Sequence, residues 1–236
     1  VWDRTTGEPM GDRQPLDEIM TLNIAGHETT ASSLNWFWYL LTGHPDVQAR
    51  VAGEAAAGGA DAPEYAALEQ YPYIRRALDE ALRLYPPGWL LTRRSLAAST
   101  LAGHALPAGT DVLISPYLVQ RHPAWWPDPD RFDPDRFLPE RNAARNRFVY
   151  LPFGLGPRAC IGEHFAIVEM HAHVITLARQ FQLALVPGQT IEIEPPERLA
   201  PPMIGAANEI TTQSEPMVGC AEPSCATARM PAAAAR

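Results

Sequence analysis

The run Phe153-Gly154-Leu155-Gly156-Pro157-Arg158-Ala159-Cys160-Ile161-Gly162 constrains this chain more than any other stretch, because it prepares one cysteine to be an anionic metal ligand. A thiolate is kept ionised by backbone N–H donors, by a helix N-terminus and by positive surroundings. All three can be read here. Gly154, Gly156 and Pro157 spell a tight turn whose backbone can approach a flat ligand closely. From Ile161 to Phe181 the sequence predicts a helix, with apolar side chains at Ile161, Phe165, Val168, Ile175 and Leu177. Cys160 then stands at its start, with amides pointing at the sulfur. Arg158 supplies a positive charge suited to a carboxylate on the ligand's edge. A lone free cysteine is ordinarily a buried, inert thiol, but Phe153, the glycines, Arg158 and Cys160 at these spacings argue for a ligand.

Other patterns stand far from this loop. Ile74 to Tyr85 predicts a helix that Pro86-Pro87 stops, with Glu80 and Arg83 on one face. Alone, that pair reads as an exposed ion pair of little worth. Between it and the cysteine lies a direct repeat, Asp128-Pro129-Asp130-Arg131-Phe132 and Asp133-Pro134-Asp135-Arg136-Phe137, which predicts an ordered, turn-rich meander. It lacks the bidentate glutamate and the spacing of a calcium loop. Upstream, Ala25-Gly26-His27-Glu28-Thr29-Thr30 sits in an apolar segment from Leu16 to Leu41. A glycine inside a helix costs about 1 kcal/mol relative to alanine, so Gly26 asks for a reason, and close approach of a cofactor face to the backbone is one. Thr29 is placed to bond back to the Ala25 carbonyl. His27 beside Glu28 is not a zinc-protease signature, since no second histidine follows at the required spacing.

Phe-x-x-Gly-x-Arg-x-Cys-x-Gly resembles the haem-thiolate loop of the cytochrome P450 family. The order of the motifs resembles the same family over residues 1–194. The resemblance implies a mainly α fold with small β-sheets, the C-terminal half of the cytochrome P450 fold, and haem b (iron protoporphyrin IX) as cofactor. It implies Cys160 as the axial iron ligand in a loop shaped by Phe153, Gly154, Gly156 and Gly162, with Ala25 and Gly26 close to the cofactor. Arg158 and Arg93 are the implied propionate contacts, although Arg94 is an alternative to Arg93. Glu80, Arg83 and Arg136 are the implied buried network that clamps the loop; Arg131 is the rival of Arg136, and spacing to Cys160 favours Arg136. Glu28 and Thr29 are the implied acid–alcohol pair, delivering protons in a dry pocket.

The activity implied for the complete enzyme is insertion of one atom of O2 into an apolar substrate, the other atom leaving as water. Nothing in the chain resembles a flavin or nicotinamide domain, so electrons are expected from a separate ferredoxin, flavodoxin or NADPH-dependent reductase. A peroxide-driven or isomerising relative would keep the cysteine loop but needs Glu28 and Thr29 less. A truncated, non-catalytic haem-binding remnant would keep every motif. Only a short stretch precedes the Gly26 segment, so the resemblance implies that the N-terminal half of the fold is absent and that apolar faces lose their cover.

Along the chain, a break at Gly43-His44-Pro45 leads into a helix from Val47 to Ala57. Two hairpin-like pieces follow later: one centred on Pro107-Ala108-Gly109 and running into Val112-Leu113-Ile114, the other joining Leu183–Val186 to Ile191–Glu194 across Pro187-Gly188. Residues 195–236 contain seven prolines and many alanines, which predicts a loosely ordered tail. It carries Cys220 and Cys225, too few for a disulfide framework. With 236 residues, 46% of them hydrophobic, the chain can bury a real core, and a formal charge of -8 argues against a nucleic-acid partner. Asn23, His27, Glu28 and Asn35 interrupt the most apolar stretch, so no membrane span is expected. No signal peptide is expected. High alanine and arginine usage with little lysine points to a GC-rich bacterial genome and a cytoplasmic location.

Overall fold

Proline and histidine punctuate the helices. The computed structural model describes residues 7–8, 11, 13–58, 65–186 and 211–212. Helix α1 (Arg13–Thr42) ends where the His44 imidazole donates from Nδ1 to the Leu40 carbonyl at 2.7 Å. Pro45 then opens α2 (Pro45–Ala57), two residues ahead of the expected Val47, because proline at the first helical position lacks an amide that would be orphaned there anyway. Helix α3 (Pro72–Leu84) also opens on proline and brings no capping side chain of its own. Glu54 of α2 supplies the cap, accepting from the Tyr73 and Ile74 amides at 2.9 and 2.7 Å. Short helices α4 (Pro116–Val119) and α5 (Pro139–Ala143) punctuate the meander, and α6 (Glu163–Ala178) closes the helical set.

Helix α6 is shorter than the expected span from Ile161 to Phe181, and the apolar residues named for it divide: Ile175 is buried, and Val168 and Leu177 pack against the core. Ile161 and Phe165 are 92% and 73% exposed. The buried stripe is Ile167, Met170, His171, Val174, Ile175 and Ala178, the i, i+3, i+4 rhythm of a core-facing helix. The second half of α1 packs with α2, α3 and α6 around Phe37, Leu41, Val51, Ile74, Leu78, Val174 and Ile175. Trp126, Phe137 and Val149 form a separate, smaller core beneath the meander. The first half of α1 has no such cover among the described residues: Leu16, Ile19, Met20, Leu22 and Ile24 are all more than half exposed.

The described strands form three two-stranded antiparallel sheets. β1 (Leu91–Arg94) pairs with β4 (Asp111–Ile114), and β2 (Ser99–Leu101) pairs with β3 (His104–Leu106). The hairpin expected around Pro107-Ala108-Gly109 is therefore not the one formed. The chain reverses instead at Ala102-Gly103, both at positive φ (49° and 84°), the backbone that a two-residue hairpin turn requires. Ser95 ties the Pro107–Thr110 turn down by donating from Oγ to the Pro107 carbonyl at 2.7 Å, and this returns β4 to β1. β5 (Leu183–Ala184) pairs with β6 (Thr211–Thr212), which belongs to the stretch read as a loose tail. The expected partner Ile191–Glu194, and Cys220 and Cys225, lie outside the described residues.

Candidate active site

Helix α3 ends in a buried polar cluster. Glu80 and Arg83, one helical turn apart, both have fully buried side chains. Arg83 donates from Nε and Nη2 to the two Glu80 oxygens at 2.6 and 2.8 Å, a bidentate pair. Its remaining donors reach the carbonyls of Gln120 (2.8 Å), Pro129 (2.7 Å) and Arg131 (3.2 Å). Arg136 approaches Glu80 Oε1 at 3.3 Å and donates from Nη2 to the Asp128 carbonyl at 2.7 Å. The two copies of the repeat thus act differently: Arg131 contributes a backbone carbonyl and Arg136 its guanidinium. Burial pushes the Glu80 carboxyl up, against the opposing pull of Arg83, the Asp133 amide and Arg136. The repeat needs this cluster because its turns leave carbonyls pointing inward, and the guanidiniums satisfy them.

Beyond the meander the chain enters the cysteine loop. Gly154 and Gly156 lie at φ +69° and +75°, where a side chain is strained, and a Cβ on Gly156 would meet nothing within 4 Å. The Cys160 amide donates to the Phe153 carbonyl at 2.8 Å and the Ala159 amide to the Gly156 carbonyl at 3.0 Å, which closes the loop. Cys160 is exposed. The expectation that amides point at its sulfur is not met. The helix starts at Glu163, three residues further on, and the cysteine's own amide is spent on Phe153. Gly162 stands at the N-cap of α6, and a Cβ there would make an ordinary contact with the sulfur, at 3.8 Å from Sγ.

Charged groups flank this loop. Leu91 of β1 comes within 3.8 Å of a Cβ built on Gly154. Arg93, two residues further along the strand, shares that face with Leu91. Arg94 points the other way and is held by Asp111 through two 2.7 Å hydrogen bonds. Arg93 donates to its neighbour's carbonyl, Thr92, at 2.8 Å and pairs with no carboxylate among the described residues. Arg158 is exposed, and it too pairs with no described carboxylate. On α1, Thr29 Oγ1 donates to the Ala25 carbonyl at 2.7 Å, and Ser33 donates in turn to the Thr29 carbonyl at 2.9 Å. Ala25, Gly26, Glu28 and Thr29 are exposed, and a Cβ on Gly26 would meet nothing within 4 Å.

Three contributors escaped the sequence reading. Gln120 is fully buried and joins α3 to the cysteine loop. Trp126, 1% exposed, donates its indole N–H to the Val149 carbonyl at 3.2 Å and underlies Arg145, whose guanidinium lies 4.3 Å from its ring. Tyr150 donates to the Asp79 carbonyl at 3.1 Å, and burial raises its hydroxyl well above the usual range. The signal for Trp126 was the paired tryptophan ahead of the Asp-Pro repeat. Gln120 carried none, because an isolated glutamine is silent about burial.

These features agree with comparisons to known proteins. A family profile described as Cytochrome P450 matches residues 3–205. Cyclooctatin synthase of Streptomyces melanosporofaciens is 44% identical over 194 residues, which are 82% of this chain and 42% of that protein. Pentalenene oxygenase of Streptomyces avermitilis is 38% identical over 77% of this chain and 40% of its own length. The chain thus spans about two-fifths of the curated relatives it matches. The crystal structure of the cytochrome P450DA heme domain superposes with a TM-score of 0.78 at 33% identity, over 83% of this chain and 44% of that one. The chain belongs to the cytochrome P450 family.

Proposed function

We propose that this chain carries the thiolate-ligating part of a haem monooxygenase that oxidises an apolar organic substrate with O2. The electrons come from a separate ferredoxin, flavodoxin or NADPH-dependent reductase. The carrying observation is the exposed Cys160 in a loop of left-handed glycines, flanked by two arginines without described carboxylate partners. That donor set fits iron protoporphyrin IX: a thiol for the metal, guanidiniums for two carboxylates, and a turn with no side chain above Gly156. Haem, when bound, supplies the oxidising chemistry itself.

In this reading Cys160 is the iron ligand and Arg93 and Arg158 hold the propionates. Phe153, Gly154, Gly156 and Gly162 shape the loop, and Ala25 and Gly26 leave room on α1 for the cofactor. Glu28 and Thr29 move protons. Because the Thr29 hydroxyl already donates to Ala25, its lone pairs are what remain, and they accept from a water that Glu28 reprotonates. The names cyclooctat-9-en-7-ol 5-monooxygenase and pentalenene oxygenase, borne by relatives 39% and 38% identical, support a cyclic, hydrocarbon-rich, terpene-type substrate.

The test is spectroscopic. Protein supplied with haem, reduced and exposed to carbon monoxide is expected to give the strongly red-shifted Soret band of thiolate ligation, and Cys160→Ser is expected to lose it. Failure to take up haem, or the same band in Cys160→Ser, overturns the reading.

A further inference from the structure

The cluster of Glu80, Arg83 and Arg136 bonds to meander carbonyls, and none of its described hydrogen bonds reaches the cysteine loop. Another residue makes that connection. Gln120 is 0% exposed and spends both amide protons on the last turn of α3, donating from Nε2 to the carbonyls of Leu82 at 3.1 Å and Arg83 at 2.9 Å. Its Oε1 accepts from the Leu151 amide at 2.7 Å. Its own carbonyl accepts from Arg83 Nη1 at 2.8 Å, so the same guanidinium that grips Glu80 also fixes the Gln120 backbone.

The Leu151 carbonyl accepts from the Gly154 amide at 3.0 Å, and two residues after Leu151 the Phe153 carbonyl accepts from the Cys160 amide at 2.8 Å. Hydrogen bonds joined across the Leu151 backbone therefore lead from the end of α3 through one side chain to the backbone of the cysteine. Trp126 and Tyr150 fasten residues 149 and 150, but each makes its bond one or two residues further from the cysteine than Gln120 does.

We propose that Gln120 is the positioning residue for Cys160: it fixes the height of the loop against the end of α3 and thereby where the sulfur is presented. The arrangement calls for an amide side chain. Two donors must face two carbonyls while an acceptor faces an N–H, and only a planar carboxamide offers both on one short stem. A carboxylate would set negative charge against the carbonyls, and an aliphatic side chain would leave three buried backbone groups unpaired. This inference rests on the proposed ligand role of Cys160 for its consequence, but not for its geometry.

The test uses Gln120→Met, which keeps the volume, and Gln120→His, which keeps one donor and one acceptor. Amide hydrogen exchange on haem-free protein is read at Leu151, Gly154 and Cys160 and, as the internal control, at Ala77 and Leu78 in the core of α3. In Gln120→Met the three loop amides are expected to exchange about tenfold faster or more while the α3 amides keep their protection, and Gln120→His is expected to recover part of the difference. In the haem-loaded protein the same Met variant is expected to lose a fraction of the thiolate-type carbon monoxide band, again partly recovered by His. Unchanged loop exchange, or loss of protection spread equally over α3, overturns the proposal. A wild type without the thiolate band, combined with selective loop exchange in the variant, would instead sink the ligand reading and leave Gln120 as the tether of the loop.

Discussion

The molecule has a buried set of groups, its rear, and an exposed set, its front, and the two are finished to different degrees. At the rear, at the end of α3, Glu80, Arg83 and Gln120 are wholly buried and find their partners within the chain. In front, the apolar side chains of the first half of α1, and Ile161 and Phe165, lie open, and Arg93 and Arg158 meet no described carboxylate. Exposed apolar surface forgoes roughly 25 cal/mol per Å² that burial would supply, so the front contributes little to holding this chain together. The rear carries the fold's polar energetics, and the front carries the groups that the proposed function assigns to ligands. A substitution's effect should therefore depend on which side it falls.

The largest effect is expected at the rear. Arg83→Met takes the bidentate partner from the fully buried Glu80 carboxylate and frees three carbonyls at once. Breaking one side of a buried pair costs about 3–5 kcal/mol. Urea unfolding, or a collapse in the yield of folded protein, reads it directly. A variant as stable as the wild type would erase the distinction between the two sides, since it would mean that the cluster is not what holds α3 to the meander.

His171 sharpens the comparison through pH. It lies on the buried stripe of α6, donates from Nε2 to the Tyr71 carbonyl at 3.1 Å, and has its pKa lowered to about 4, chiefly by burial. A histidine with a depressed folded pKa is protonated first in the unfolded chain. Stability from this group is therefore complete above about pH 6.5 and is lost as pH falls toward 4. The lost amount is on the order of 3 kcal/mol for a shift of this size. His171→Gln keeps a donor for Tyr71 and removes the titration. The stability of wild type relative to the variant, read from urea midpoints, should fall steadily from pH 7 to pH 4, by an amount on the order of 3 kcal/mol in all. A constant difference would show that His171 ionises alike in both states and that this part of the core is wetter than its burial implies.

The motifs made both sides legible, but to unequal depth. Glu80, Arg83 and Arg136 were legible as a set only through the family resemblance, because the pair on α3 taken alone reads as an exposed ion pair. Between Arg131 and Arg136, in a repeat that is the same five residues twice, spacing to Cys160 favoured Arg136, and the three-dimensional path gives Arg136 a side-chain role and Arg131 a backbone role. Helix α6 was misjudged for a physical reason. Ile161 and Phe165 are apolar, and periodicity counts apolar residues whether they face the core or open space, so the expected helix took in Ile161 ahead of the actual start at Glu163. The hairpin at Pro107-Ala108-Gly109 was misplaced because proline and glycine signal any turn, whereas pairing was decided by Ala102-Gly103 and by the bond from Ser95.

The smallest expected effect lies at the front, and there a null result on stability is informative. The Thr29 hydroxyl makes one described hydrogen bond, to the carbonyl one turn earlier in its own helix, and its surroundings are open. Such back-bonding competes with helix geometry and does not add to packing, so Thr29→Ala should change the urea midpoint by no more than about 0.5 kcal/mol. Loss of more than 1 kcal/mol would mean that α1 depends on this hydroxyl and that the front is part of the fold's own support. If stability is unchanged, the same variant isolates function. With haem and an electron donor present, the proposed proton path requires Thr29→Ala to consume electrons without a matching yield of product. In that proposal the hydroxyl oxygen is the group that holds the water, while the fold around it stays as it was. Coupling that survives the substitution would move the proton delivery away from Thr29.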